Sequence, residues 1–165
     1  MSITIQDNFL NKDYFISLSK AIYDAEFPWF VSNIVKDDGL QFVHMAYFHV
    51  PTSGIYDEMG ELINKLNCYS LIRIKINLLL RTESIVEHNM HVDISQSPSN
   101  AKTSILYLGT NNGYTKFESG EVVESVANRL VTFDGNLKHT GTTNSCSELS
   151  RLVININWIP QGGNE

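Results

Sequence analysis

The stretch Tyr69-Ser70-Leu71-Ile72-Arg73-Ile74-Lys75-Ile76-Asn77-Leu78-Leu79-Leu80 decides how the rest of the chain is read. From Ile72 onward the residues fall into two sets, Ile72, Ile74, Ile76 and Leu78 against Arg73, Lys75, Asn77 and Leu79. Side chains two apart on a strand share a face, so this is a β-strand with one wholly apolar side. That side is what covering helices would bury. The other side looks into a barrel or sandwich interior, where polar side chains are costly without a purpose, and a functional cavity is one such purpose.

Upstream lie two helical periods. Ile3-Thr4-Ile5 reads as a short strand, and Asn11-Lys12-Asp13 offers capping side chains before Phe15, Leu18, Ile22 and Ala25, which recur on one helix face until Pro28 stops them. Tyr56 to Leu66 has the same period, with Met59, Leu62, Ile63 and Leu66 on one side. Between them come an aromatic corner, Phe27-Pro28-Trp29-Phe30, a turn at Asp37-Asp38-Gly39, and an extended run from Leu40 to Val50. His44 and His49 in that run read as surface or satisfied core histidines.

Downstream the strands are short and separated by turns. Thr103 to Leu108 alternates, with Thr103, Ile105 and Tyr107 on one face; Tyr114 to Phe117 and Glu121 to Val126 flank a hairpin turn at Ser119-Gly120. Arg129 to Phe133 ends at Asp134-Gly135-Asn136. Arg151 to Ile159 sets Leu152, Ile154, Ile156 and Trp158 against Arg151, Val153, Asn155 and Asn157, before Pro160 and a Gly162-Gly163 tail. The expectation is an α+β, mainly β fold: a double-sheet sandwich of jelly-roll type with N-terminal helices packed on one sheet. At 165 residues it forms a single domain, with a core over about 69–159 and helical support from 1–68.

Charge narrows the partners. The net charge is −6, and the twelve Lys and Arg are scattered, which disfavours a nucleic-acid binder built on phosphate neutralisation. Cys68 and Cys146 match no zinc spacing and read as reduced thiols. No basic leader precedes an apolar run and no run is long enough to cross a bilayer, so cytoplasm is the expected location, without membrane association. Oligomeric state has no signature in the sequence.

Chemistry enters at Met90-His91-Val92-Asp93. On an extended segment His91 and Asp93 project to one side and present a nitrogen and a carboxylate oxygen together, while His88, an odd number of positions earlier, points away. A third ligand could come from His139, in a polar stretch after a separate strand. Two histidines and one carboxylate leave an open face on an octahedral ion, the arrangement expected of non-haem Fe(II) oxygenases. The loop from Ser95 to Lys102 would lie at the mouth of such a site. Arg151 projects to the same interior, where a desolvated guanidinium needs either a structural acidic partner or a bound anion, and Tyr107 could offer its hydroxyl to a ligand carboxylate.

Taken in order, His91-Val92-Asp93, Ser104-Ile105-Leu106-Tyr107-Leu108, Asn112-Gly113-Tyr114-Thr115-Lys116-Phe117, Arg129-Leu130-Val131-Thr132-Phe133-Asp134, His139, Arg151 and Trp158 resemble the Fe(II)- and 2-oxoglutarate-dependent oxygenases, in their prolyl-hydroxylase-like branch. The resemblance implies a double-stranded β-helix, with His91, Asp93 and His139 holding Fe(II) and Arg151 pairing with the distal carboxylate of 2-oxoglutarate. It further implies that Tyr107 and Thr103 line the cosubstrate pocket. Three departures stand out: Asn112-Gly113 replaces a frequent Gly-Gly, the gap from His139 to Arg151 is slightly longer, and Leu79 or a neighbour replaces an aromatic, leaving Asn77 as the substitute contact. The reaction so implied uses Fe(II), 2-oxoglutarate and O2, with ascorbate as a stimulant. It hydroxylates a C–H bond of a peptide, protein or small molecule, first of all a prolyl or other side chain, and releases succinate and CO2. Two alternatives stay open: a cupin-like metal enzyme that makes no use of 2-oxoglutarate, and a non-catalytic jelly-roll binding module.

Overall fold

The computed structural model describes residues 3–34, 39–95 and 98–162. Its strands are β1 (Thr4–Gln6), β2 (Phe30–Asn33), β3 (Leu40–Phe48), β4 (Val50–Pro51), β5 (Cys68–Leu80), β6 (Lys102–Tyr107), β7 (Tyr114–Phe117), β8 (Val122–Glu124), β9 (Leu130–Asp134), β10 (His139–Gly141) and β11 (Ser150–Pro160). Two helices, α1 (Lys12–Ile22) and α2 (Gly60–Leu66), complete the list with a 3-10 turn over Gly54–Met59. One sheet runs β1-β9-β6-β11-β5-β3-β2 with β4 beside β3, and a smaller sheet runs β10-β7-β8. Both are antiparallel, and the mainly β, jelly-roll sandwich expected from the sequence is what forms.

The period-two reading of β5 holds from Arg73 to Leu80; a register irregularity at Ile72 puts Leu71 in the helix-covered cluster where Ile72 was expected. Ile74 and Ile76 are fully buried and pack with Leu106, Leu152, Ile154 and Ile156 of neighbouring strands, against Leu18 and Ile22 of α1 and Leu62 and Leu66 of α2. Both helices therefore cover one face of the large sheet. On its other face a second cluster joins Ile105, Tyr107, Val131, Phe133 and Val153 to Phe117 and Val123 of the small sheet. Phe117 meets Phe133 edge to face at 4.9 Å, which closes the sandwich at that end.

Several boundaries differ from the expectation. Helix α1 ends at Ile22, well before Pro28; the Tyr23 amide donates to the Ser19 carbonyl and the Asp24 side chain accepts from the Glu26 amide, so a turn has already replaced the helix at Ala25. The segment from Tyr56 to Leu66 is two pieces. The Tyr56 amide bonds to the Ser53 carbonyl, three residues back, and only from Gly60 does an α-helix follow, closed by Asn67 in the left-handed region (φ 53°). Phe30 belongs to the edge strand β2 and is exposed, whereas Phe27 and Trp29 pack on the core. The return strand after Gly120 is limited to Val122–Glu124. Asp37, Asp38, Gln96, Ser97 and Gly163 lie outside the described residues.

Asn128 fastens the N-terminal segment to this frame. It adopts φ 61°, its side-chain oxygen accepts from the Leu10 amide at 2.8 Å, and its side-chain nitrogen donates to the Leu10 carbonyl at 2.8 Å. The Asn128 carbonyl also accepts from the Phe9 amide, at 2.9 Å. Asn128→Ala leaves two buried backbone groups of Leu10 without partners, and the expected cost is about 2–3 kcal/mol. Urea unfolding should show this as a lower midpoint with an unchanged slope.

Candidate metal centre and anion pocket

A main-chain bridge brings the first two candidate ligands together. The His91 amide donates to the His139 carbonyl at 2.9 Å and the His139 amide donates back at 3.0 Å, an antiparallel pair that sets the imidazoles side by side with ring centroids 5.0 Å apart. His91 occupies this single bridge and Asp93 the bend after it, so the pairing that matters is local and does not require a continuous strand. The Asp93 carboxylate completes the set: its Oδ1 lies 3.8 Å from His91 Nε2 and its Oδ2 3.7 Å from His139 Nε2. All three ligand atoms lie within 4.8 Å of one another.

Hydrogen bonds prepare these groups as ligands. Nδ1 of His91 lies 3.0 Å from the Asn89 carbonyl, and Nδ1 of His139 lies 3.1 Å from the Leu137 carbonyl. Each carbonyl can only accept, so each Nδ1 is the donor, and Nε2 is the ring nitrogen that each histidine turns toward Asp93. Burial holds the His91 pKa below its usual value, which favours the neutral form that a metal requires. Burial pushes the Asp93 carboxyl upward, but His139, the Arg73 guanidinium and the Asn155 amide outweigh it and bring its pKa to about 2.

Asp93 is anchored from behind. Its Oδ2 accepts from Asn155 Nδ2 at 3.0 Å and from Asn157 Nδ2 at 3.2 Å, and Arg73 Nη2 lies 3.5 Å from Oδ1. Arg73 Nε donates in turn to Asn157 Oδ1 at 2.9 Å. Asn157 also donates to Thr103 Oγ1 at 2.9 Å. Thr103, expected in the cosubstrate pocket, therefore stands behind Asn157 and is absent from the cavity wall among the described residues.

Arg151 shares the cavity with these ligands. It is buried; its Nε donates to Ser125 Oγ at 2.8 Å and its Nη2 to Thr115 Oγ1 at 3.1 Å, while the guanidinium carbon lies 5.4 Å from the centre of the Tyr107 ring. No carboxylate pairs with it among the described residues, and burial lowers its pKa. Two glycines make room for it. A Cβ on Gly113 would meet Arg151 Cδ at 2.7 Å and the Thr143 carbonyl oxygen at 2.9 Å, and one on Gly141 would stand 3.2 Å from Arg151 Nη1. Tyr107 supports the group from beneath: its hydroxyl donates to Thr115 Oγ1 at 2.7 Å, so it reaches the cavity through Thr115 rather than directly.

The polar face of β5, next to the strand that carries Arg151 in the same sheet, extends this wall, with Arg73, Lys75, Asn77 and Leu79 all lining the cavity. Asn77 Oδ1 and Asn155 Oδ1 are buried without a hydrogen-bond partner, a costly state that a bound polar group would relieve. His88 lines the same space, although its spacing from His91 suggested the opposite direction. Period-two reading placed Asn155 and Asn157 on the Arg151 face without revealing their hold on Asp93. Thr115 and Ser125 were missed, because no pattern in a four-residue strand or a loop marks a partner for a distant arginine. The donor set, the orphaned amide oxygens and the glycine-cleared guanidinium fit a divalent metal with an anionic chelator.

No family model matches the sequence, and no curated protein matches it. Solved structures do. A prolyl-4-hydroxylase from Pseudomonas putida aligns over 96% of this chain and 92% of its own with a TM-score of 0.67 at 15% identity. A prolyl hydroxylase from Trichoplax adhaerens, solved with a hypoxia inducible factor peptide fragment, aligns over 95% and 83% with a TM-score of 0.61 at 11% identity. The epimerase SnoN from nogalamycin biosynthesis, in complex with Fe3+, alpha ketoglutarate and nogalamycin RO, aligns over 96% and 78% with a TM-score of 0.64 at 11% identity. The chain has the fold of the 2-oxoglutarate and iron(II) oxygenases, with prolyl hydroxylases among the structures it matches.

Proposed function

We propose that this chain is an Fe(II)- and 2-oxoglutarate-dependent dioxygenase that hydroxylates a C–H bond. The observation that carries the reading is Arg151, a buried cation with no carboxylate partner among the described residues, in the same cavity as the His91, Asp93 and His139 cluster. A cupin-like enzyme without a dicarboxylate cosubstrate has no use for that cation. A non-catalytic module has no use for the two histidines held in one tautomer.

His91, Asp93 and His139 would hold the metal. Arg151 and Thr115 would receive the distal carboxylate of 2-oxoglutarate, with Tyr107 and Ser125 fixing both, and Asn77 would face the body of the cosubstrate. Ferrous iron, when bound with 2-oxoglutarate and O2, supplies the oxidising power for C–H hydroxylation, and the cosubstrate leaves as succinate and CO2; ascorbate keeps the metal reduced between turnovers. The chain's own task is positional. Asn155, Asn157 and Arg73 keep Asp93 ionised and aimed, and the backbone carbonyls of Asn89 and Leu137 engage each Nδ1, so that Nε2 is the ring nitrogen each histidine offers to a metal. A carboxylate at position 93 would serve as a metal ligand where a small residue would leave room for halide, so hydroxylation is favoured over halogenation.

For the substrate, a prolyl or other side chain in a peptide or protein is the reading we adopt, with a cytoplasmic setting. A peptide-bound prolyl hydroxylase and an epimerase bound to nogalamycin RO both align with the chain, so a small molecule is the second reading.

Mn(II) with 2-oxoglutarate at one hundred times its Kd should stabilise the protein by about 2.7 kcal/mol, a Tm rise of roughly 5–10 °C for a chain of this size. Asp93→Ala should remove the whole shift and Arg151→Ala only the cosubstrate's share; equal shifts in all three proteins would refute the assignment. Arg151→Met should leave the ligand-free protein as stable or more so, because it removes a buried charge that lacks a counter-ion. With Fe(II) and ascorbate, succinate should form from 2-oxoglutarate in the wild type and not in the Asp93 or Arg151 variants.

A further inference from the structure

Cavity charges do not balance. Arg73, Lys75 and Arg151 all line the cavity, and Asp93 is its one carboxylate among the described residues. Arg73 is committed to Asp93, and Arg151 stands at the other end on Thr115 and Ser125. Lys75 makes no hydrogen bond or ion pair with the described residues. It projects from the middle of β5, directly across from Asn155 of β11, the residue whose amide holds Asp93. Its ammonium is thus at the metal end of the cavity, near enough to feel both Arg73 and Asp93, and burial with the repulsion of Arg73 pulls its pKa down.

A divalent metal and a doubly charged dicarboxylate cancel one another, so the proposed cofactors leave this surplus where it was. The protein as a whole carries a net charge of −6, so the positive interior is a local construction. An interior cation without a partner is costly unless an anion completes it.

We infer that Lys75 is a second anion-binding point, at the metal end of the cavity, and that it receives a carboxylate. The inference rests on the oxygenase reading above. Two sources share that chemistry: the carboxylate of 2-oxoglutarate next to its keto group, and a carboxylate on the primary substrate. The register separates Lys75 from Arg151 by four residues along the paired strands, about 13 Å of backbone. The two long side chains can therefore serve opposite ends of one bound assembly.

The test uses the whole chain loaded with Mn(II), comparing wild type with Lys75→Met, which keeps the length and loses the charge, and Lys75→Arg, which keeps the charge. Lys75 makes no hydrogen bond, so both variants should melt within a few degrees of wild type without ligand. Calorimetry gives the Kd of 2-oxoglutarate, and acetate titrated into the Mn(II)–2-oxoglutarate complex, followed by Mn(II) EPR, probes a further carboxylate. If the cosubstrate is the source, Lys75→Met raises the 2-oxoglutarate Kd at least tenfold and Lys75→Arg restores most of it. If the primary substrate is the source, 2-oxoglutarate binding stays within twofold while the acetate-dependent change seen in wild type disappears in Lys75→Met. Unchanged behaviour in both assays, or a Lys75→Arg variant as impaired as Lys75→Met, overturns the inference and leaves the oxygenase reading standing. Failure of wild type to bind 2-oxoglutarate overturns both.

Discussion

The pairing of β5 with β11 at the centre of the large sheet is the constraint on which the rest of the molecule depends. A side chain on a strand has two directions available, and along these two strands the choice alternates without slipping from Arg73 to Leu80 and from Ser150 to Asn157. One direction gives Ile74, Ile76, Ile154 and Ile156 to the helices, and the other gives Lys75, Asn77, Arg151 and Asn155 to the cavity. Stability and chemistry are thus distributed on opposite faces of the same backbone. A one-residue change of register would bury the charges under α1 and α2 and turn the isoleucines toward His91, Asp93 and His139, so the hydrophobic core itself enforces the geometry of the site.

Within the cavity, electrostatics rather than shape gives the arrangement its direction. Asp93 is ionised because two amides and a guanidinium surround it, and its charge is already shared before any ion arrives. Arg151 is the converse: it is buried on neutral hydroxyls and an aromatic ring, with its charge left unmet. One end of the cavity is therefore prepared for a cation and the other for an anion. This polarity follows from which strand supplies each residue.

The parts of this that were legible in the sequence are those governed by short-range periodicity. The faces of β5, β6 and β11 could be read wherever the register is unbroken, while the irregularity at Ile72 could not, and His91, Asp93, His139 and Arg151 converge in one cavity. Depth was not legible. Parity assigned Thr103 and Tyr107 to the inward face, yet Thr103 stands behind Asn157 and Tyr107 beneath Thr115, since alternation says which way a side chain points and nothing about how far the cavity extends along the strand. Helix ends were also obscure: Ala25 continued an apolar period that the Asp24 turn had already broken, and the tighter first turn before Gly60 looks like an α-helix to any pattern of hydrophobic spacing. Thr115 and Ser125 act through contacts with a residue dozens of positions away, which no local pattern encodes.

Gly113 and Gly141 give the guanidinium its berth by what they lack. A single methyl at either site would press on Arg151, at 2.7 Å from its Cδ in the first case and 3.2 Å from its Nη1 in the second. In the first case the Thr143 backbone, 2.9 Å away, closes the remaining route of escape. Arginine and glycine therefore form one unit: alanine at 113 would force the Arg151 side chain out of the place it now occupies. The space these two glycines leave is thus set by a side chain on another strand, and a shorter residue at 151 would release both positions from that demand.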